Sequence, residues 1–254
     1  MRSVEFGTAK RWARGEAIDV ALLARSIPMI GRRHRCACCG WTLRAFTQGR
    51  MSLRSKPNGY CPRCNSKPRH RWLWLWLEDH TDLFKRPLDV LHVAPAMSTS
   101  RAFERIEVGR YVAVGLERRD RNQMQTDLGH PGIRPGVFDL AICVHVLEHA
   151  DDDRALIRSL YELLKPGGTA AIGVPLDPDR PTIEDPSVTD PDARRALFGE
   201  PDHRRWYGPD LSERLADAGF EVQQFTSREL SESVRHEYGV KPGEALFLCR
   251  KEPV

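Results

Sequence analysis

Four of the seven cysteines fall in two pairs, Cys36-x2-Cys39 and Cys61-x2-Cys64, with 21 residues between the pairs. A two-residue spacer lets two thiolates reach one ion from a tight turn, and two such turns complete a tetrahedral four-sulfur site for zinc. Four protein sulfurs leave no coordination position open, so the metal would fold the segment and do no chemistry. Gly40 and Asn65 follow the pairs directly and are the residue types that tolerate the left-handed turn with which such a knuckle ends. Cys38 is an alternative partner for Cys36, but only Cys36 with Cys39 has the x2 spacing, and His34 is a substitute ligand. The competing expectation is a pair of disulfides, which the charged N-terminus MRSVEFGTAKRWARGE, lacking an apolar signal core, disfavours. Cys143 and Cys249 sit in apolar runs and read as buried fillers of core strands.

A second group of reactive side chains lies further along. His145 and His149 flank Glu148, and His203 stands within the segment Glu200 to Tyr207, which concentrates acidic, basic and aromatic groups. Imidazoles accept protons near neutral pH, which makes His145 and His203 the candidate catalytic bases. His149 reads better as a capping or packing residue. The letters His145-x-x-Glu148-His149 also match an inverted zinc-protease pattern, which needs both histidines on one helical face. Here the motif directly follows a buried run and precedes the acidic turn Asp151-Asp152-Asp153, so that reading is set aside.

The elements that must position these groups are legible around them. Phe138 to Val144 is a continuous apolar run, as expected of a strand buried on both faces of a parallel sheet. Leu156, Ile157, Leu160, Leu163 and Leu164 then repeat at helical spacing, and the helix is expected to stop at Pro166-Gly167-Gly168 before a strand from Thr169 to Leu176. Upstream, strands are expected at Leu88 to Ala94, Tyr111 to Leu116 and Gln125 to Leu128, with a helix near Thr99 to Glu107. Downstream come a helix over Pro209 to Ala218 and strands near Phe220 to Phe225 and Ala245 to Arg250. Alternation of this kind implies an α/β doubly wound sheet that binds ligands at the carboxyl ends of its strands. The stretch from Asp177 to Gly208, with five prolines, is expected to be a long substrate-binding loop or lid.

On these motifs, residues 87–250 resemble the class I S-adenosylmethionine-dependent methyltransferases, especially the broad type 11 group. The resemblance implies a Rossmann-like, doubly wound, seven-stranded methyltransferase sheet. It places the cofactor against His92, Val93, Ala94, Pro95 and Ala96 after the first strand, and the ribose on Glu117. It places the adenine at Asp127 and Leu128 and the sulfonium near Val144 and His145. It also sets the 200–207 segment over the acceptor. One departure stands out: the family's glycine-rich first loop is here His92-Val93-Ala94-Pro95-Ala96, with no glycine to give an unhindered positive φ.

Residues 1–86 hold 18 Lys and Arg against 6 Asp and Glu, whereas residues 87–254 hold 21 against 29. A basic part of this kind suits RNA, an anionic substrate or an acidic neighbouring domain. Within it Ser66 to Leu77 interleaves tryptophans with leucines; a buried helix to about His80 is the preferred reading, and a nucleic-acid stacking platform around Arg69, His70 and Arg71 the alternative. The expected organisation is a lead over 1–30, a zinc-ribbon-like module over 31–70, a linking helix over 71–86 and a methyltransferase domain over 87–254. No run reaches the length of a membrane span, and a cytoplasmic, membrane-free enzyme is expected. Its acceptor is expected to be a small molecule or sugar-like metabolite. RNA is the alternative partner, and an inactive zinc-dependent binding protein the alternative of another class.

Overall fold

The computed structural model describes residues 20–49, 54–116, 123–126 and 132–253. In chain order its elements are α1 (Val20–Ser26), β1 (Ile30–Arg35), β2 (Thr42–Leu43), α2 (Pro68–His80), β3 (Asp89–Val93), α3 (Met97–Phe103), β4 (Arg110–Gly115) and β5 (Gln123–Gln125). There follow β6 (Phe138–Val144), α4 (Asp153–Leu163), β7 (Leu164–Gly173), β8 (Ile183–Glu184), α5 (Pro191–Phe198), β9 (Arg205–Trp206), α6 (Leu211–Asp217), β10 (Glu221–Thr226), α7 (Glu232–Tyr238) and β11 (Ala245–Arg250). They divide between two compact units. The first comprises Met1–Phe84, Ala96–Glu107 and Ser227–Pro242, the second Lys85–Pro95, Val108–Thr226 and Gly243–Val254.

The second unit is built on a seven-stranded sheet in the order β10-β11-β7-β6-β3-β4-β5. β5, β4, β3, β6 and β7 run parallel, and β11 lies antiparallel between β7 and β10. The chain winds outward from β3 in one direction and from β6 in the other, so the switch point lies between them. Leu140, Ala141, Ile142 and Cys143 of β6 are wholly buried, as the unbroken apolar run required. Leu156, Ile157, Leu160 and Leu163 of α4 and Leu211 and Leu215 of α6 join the same core. Asp152 caps α4, its carboxylate accepting from the Ala155 amide at 2.8 Å. At the opposite end of the sheet, Lys165 bridges Asp89 at 3.0 Å and Asp139 at 2.9 Å, tying together the starts of β3 and β6.

Several element boundaries differ from the sequence expectation. α4 ends at Leu163 rather than at Pro166: Lys165, the residue before the proline, is driven out of helical geometry, and Leu164 before it is already extended, at ψ 141. Pro166, Gly167 and Gly168 lie inside β7 as an irregularity: Phe138 pairs with Leu164 and Leu140 with Thr169. β7 ends at Gly173, and Leu176 is left in an isolated bridge to Tyr207. α3 stops at Phe103 instead of reaching Glu107. The long loop after β7 is not structureless; it contains β8, α5 and β9.

The first unit is organised by a buried cation. Arg71 is fully buried on α2, and its guanidinium donates to the carbonyls of Tyr238 (2.6 Å), Ser66 (2.7 Å), Gly239 (2.7 Å) and Gly59 (2.9 Å). Its carbon lies 4.0 Å from the centroid of the Phe46 ring. The planar fork thus ties α2 to the turn around Cys61 and to the end of α7. Residues His70 to Leu77 of α2 are all buried, which is why the segment lacks a polar face: the helix is packed on every side. The stacking-platform alternative fails for His70 and Arg71, both buried and hydrogen-bonded within this unit.

Arg71→Met would leave four buried carbonyls without their donor. We expect it to cost about 3–5 kcal/mol, read from tryptophan fluorescence during denaturation, and Arg71→Lys to recover only part of the loss.

Candidate functional site

The switch point brings the ends of β3 and β6 side by side, with Val93 opposite Cys143. Both strands leave the sheet through a non-glycine residue in the left-handed region, Ala94 at φ 43 and His145 at φ 57. Each is fastened to a neighbouring strand: the Ala94 amide donates to Val114 at 2.6 Å and the His145 amide to Gly173 at 2.8 Å. Backbone strain of this kind costs about 1–2 kcal/mol per residue and concentrates at functional sites. Ala94, Pro95, Val144, His145 and Val146 are partly exposed where the strands before them are buried. The missing glycines therefore do not prevent the turn, because alanine makes it.

The expected cofactor residues do not all behave alike. His92 is buried at 3% exposure and shares a 3.0 Å hydrogen bond with the Tyr111 hydroxyl, so its side chain serves the core and its main chain is what remains for a ligand. Burial pushes its pKa down to about 3. Val93 is buried too, and Ala96 opens α3 in the first unit. Glu117, Asp127 and Leu128 lie outside the described residues.

Beyond β6, a short helical turn over Leu147–His149 carries the polar groups. His145 Nδ1 lies 3.0 Å from Glu148 Oε1, and Glu148 is buried at 1% exposure. Because His145 is in a left-handed turn at the strand end, His145 and His149 do not share a helical face, and the protease pattern has no structural basis here. From the 200–207 segment, His203 is buried, its Nδ1 donating to the Phe198 carbonyl at 2.8 Å. The His203 and His149 rings meet edge to face at 4.8 Å. The geometry thus joins His203 to the β6 end, as the pairing of these two histidine-bearing segments requires.

Arg205 holds this assembly in place. Its guanidinium donates to the carbonyls of Leu147 at 2.9 Å and Ala150 at 2.6 Å and to Glu184 at 3.0 Å. Arg214 links Glu184 at 2.8 Å to Asp153 at 3.1 Å, and the Tyr207 hydroxyl donates to Asp153 at 2.7 Å. Hydrogen bonds from Arg214 and then Arg205 keep the Glu184 carboxyl below its ordinary range, and burial pushes the Tyr207 phenol up. Sequence reasoning missed Asp153, Glu184 and Arg214 as parts of one network with Arg205, since their separations carry no local pattern.

The four-cysteine group stands in the first unit. Cys36 and Cys64 sulfurs are 3.6 Å apart and those of Cys39 and Cys61 3.7 Å. A tetrahedron with zinc–sulfur bonds of about 2.3 Å has edges of about 3.8 Å, so the four thiols fit the ion. The two knuckles repeat each other: the Gly40 and Asn65 amides donate to Cys36 and Cys61, the Cys36 and Cys61 amides to Trp41 and Ser66, and Gly40 and Asn65 both have positive φ. Burial opposes ionisation of Cys36, yet hydrogen bonds from the surrounding thiols hold it well below the usual thiol range. Cys38 is buried but lies outside the four-sulfur group, and His34 Nδ1 donates to the His236 carbonyl instead. Cys143 and Cys249 are buried in β6 and β11, as fillers should be.

Comparison with known proteins agrees with this architecture. A family model described as a methyltransferase domain matches residues 40–224. The chain belongs to that family. Its sheet is that of class I S-adenosylmethionine-dependent methyltransferases, and similar folds include 1,6-didemethyltoxoflavin-N1-methyltransferase from Burkholderia thailandensis, at 18% identity, 72% and 78% coverage of the two chains and TM-score 0.51. The [4+2]-cyclase SpnF is similar at 14% identity, 92% and 93% coverage and TM-score 0.54. A 36-residue stretch is 53% identical to ubiquinone biosynthesis O-methyltransferase of Xanthomonas campestris pv. campestris. That stretch spans 14% of this chain and 15% of the relative.

The buried His92 makes stability pH-dependent. Its ordinary pKa of 6.5 applies in the unfolded chain, while the folded ring stays neutral to about pH 3. Stability is therefore full above pH 6.5 and falls as acid protonates only the unfolded state, by about 1.4 kcal/mol per pH unit. Denaturation at pH 7, 6 and 5 should show this extra slope in the wild type and its loss in His92→Gln.

Proposed function

We propose that this methyltransferase-family chain moves a methyl group from S-adenosylmethionine to an oxygen or nitrogen of a small, sugar-like or related metabolite. The observation that carries the reading is the pair of left-handed strand ends at the switch point, with His145 and His203 gathered beyond β6. The cofactor, when bound, supplies a methyl on a sulfonium whose leaving group is a neutral thioether. The main chain of His92 to Pro95 would line it on one side and Val144 and His145 on the other, with Glu117, Asp127 and Leu128 holding the nucleoside. Positioning and exclusion of water supply much of the acceleration in such a displacement. An acceptor hydroxyl or amide must also lose a proton, and His145 and His203 are the groups in reach of that role.

The short likeness to an O-methyltransferase favours oxygen as the acceptor atom. A small acceptor is favoured over RNA because two members of the Arg69–Arg71 segment are enclosed in the first unit. The four-sulfur site is read as structural zinc, and a cytoplasmic location accords with thiols that are all free of disulfides. No helix among the described residues is long and apolar enough to cross a membrane. Because a [4+2]-cyclase shares the fold, methyl transfer has to be tested on the site itself.

Calorimetric titration with S-adenosylhomocysteine should give micromolar binding that Glu117→Ala weakens at least tenfold; no binding by the wild type overturns the enzyme reading. A gel shift with RNA that weakens steeply with salt would instead return RNA as the acceptor. For the cysteine site, metal analysis should find one tightly held zinc per chain. Chelation or Cys61→Ser should open the first unit to trypsin, and full resistance without metal would show that zinc is not what folds it.

A further inference from the structure

We infer that Glu148, His149 and His203 bind a single first-row divalent cation, at a site distinct from the four sulfurs. All three belong to the second unit, and one donor atom from each lies within 4.8 Å of the others. Both imidazoles have the outer partner characteristic of a metal-bound histidine. His203 Nδ1 donates to the Phe198 carbonyl at 2.8 Å, and His149 Nδ1 stands 3.3 Å from Asp202 Oδ2. That leaves Nε2 of each ring to offer a lone pair.

Glu148 supplies the independent observation. Its Oε1 faces His145 at 3.0 Å, while its Oε2 is buried without a hydrogen-bond partner among the described residues. An unmatched carboxylate oxygen at 1% exposure is costly, and a cation removes the cost. Two imidazoles and one carboxylate are a donor set for zinc, iron or cobalt that leaves coordination positions open. Bound donor atoms sit about 3 Å apart, so the ion draws the three side chains together. His149, with 38% of its side chain exposed, has room for that movement.

One consequence rests on the methyl-transfer reading: with its Nε2 on the ion, His203 is a ligand, and His145 remains to accept the acceptor's proton. The open positions would take an oxygen or nitrogen of that acceptor. Ion binding itself does not depend on this reading.

The test titrates protein carrying one equivalent of zinc, which the four sulfurs take first, with Co2+ by calorimetry and absorption. Zinc outranks cobalt for the sulfur site, which therefore keeps its metal. We expect one Co2+ per chain, a spectrum without thiolate charge transfer, and affinity reduced at least tenfold in Glu148→Gln, His203→Ala and His149→Ala. His149 is exposed, so its variant decides the matter even where a buried substitution fails to fold. Absence of binding in the wild type, thiolate bands in the bound spectrum, or wild-type affinity in His149→Ala overturns the site. S-adenosylhomocysteine titration of the same samples separates the two ideas: cofactor binding without cobalt binding sinks only the ion site, and cobalt binding without cofactor binding sinks only methyl transfer.

Discussion

A carboxylate sealed from water must be matched by donors or charge, and Glu148 sets that demand at the working end of the sheet. It lies three residues past the left-handed turn at His145, on a single short helical turn. One oxygen is answered by His145 and the other is left to what lies around His149 and His203. Bury the acid elsewhere and the three histidines lose their common focus. The turn at His145 is thus more than a connection, because it decides which side chain enters the interior.

Holding a charged group inside also requires that the backbone around it cannot yield. Here two arginines do this from the chain that returns after β7. Arg205 donates to the Leu147 and Ala150 carbonyls of the short turn, and the Arg204 amide donates to the Glu148 carbonyl at 2.8 Å. Arg214 and Tyr207 converge on Asp153 at the start of α4. A buried aspartate next to a helix start is favoured by the helix dipole, and the paired cations complete its solvation. The returning segment is therefore fixed by charge to the turn it covers, which gives His203 a defined position despite its distance in sequence.

What the sequence made legible follows from how local each signal was. The sulfur pairs announced their own geometry, and Gly40 and Asn65 did take the left-handed conformation their types allow. β6 was readable from its unbroken apolar run, and α4 from its period, although its end was misplaced because Lys165 precedes a proline and the strand begins through the glycines. The return segment was misread as loop: β8 and β9 are two residues each, paired only across a long excursion, so neither shows a period. α7 escaped notice for a similar reason, being seven residues with few apolar positions. Arg71 was expected within a buried helix, but its part in tying the unit together was not legible, because sequence cannot show four carbonyls converging on one guanidinium.

The glycine-free loop after β3 is the point where sequence logic and geometry diverge most usefully. Glycine relieves the left-handed penalty of about 1–2 kcal/mol, but it also adds about 0.5–1 kcal/mol of chain entropy to be lost on folding. The net advantage over alanine at such a turn is small. Ala94 can take φ 43 because its amide is bonded to Val114 and Val93 is fixed in the core, so the sheet imposes the turn that glycine would otherwise permit. A glycine count measures how freely a loop can bend; here the strands on either side have already determined the bend, and the count loses its diagnostic value.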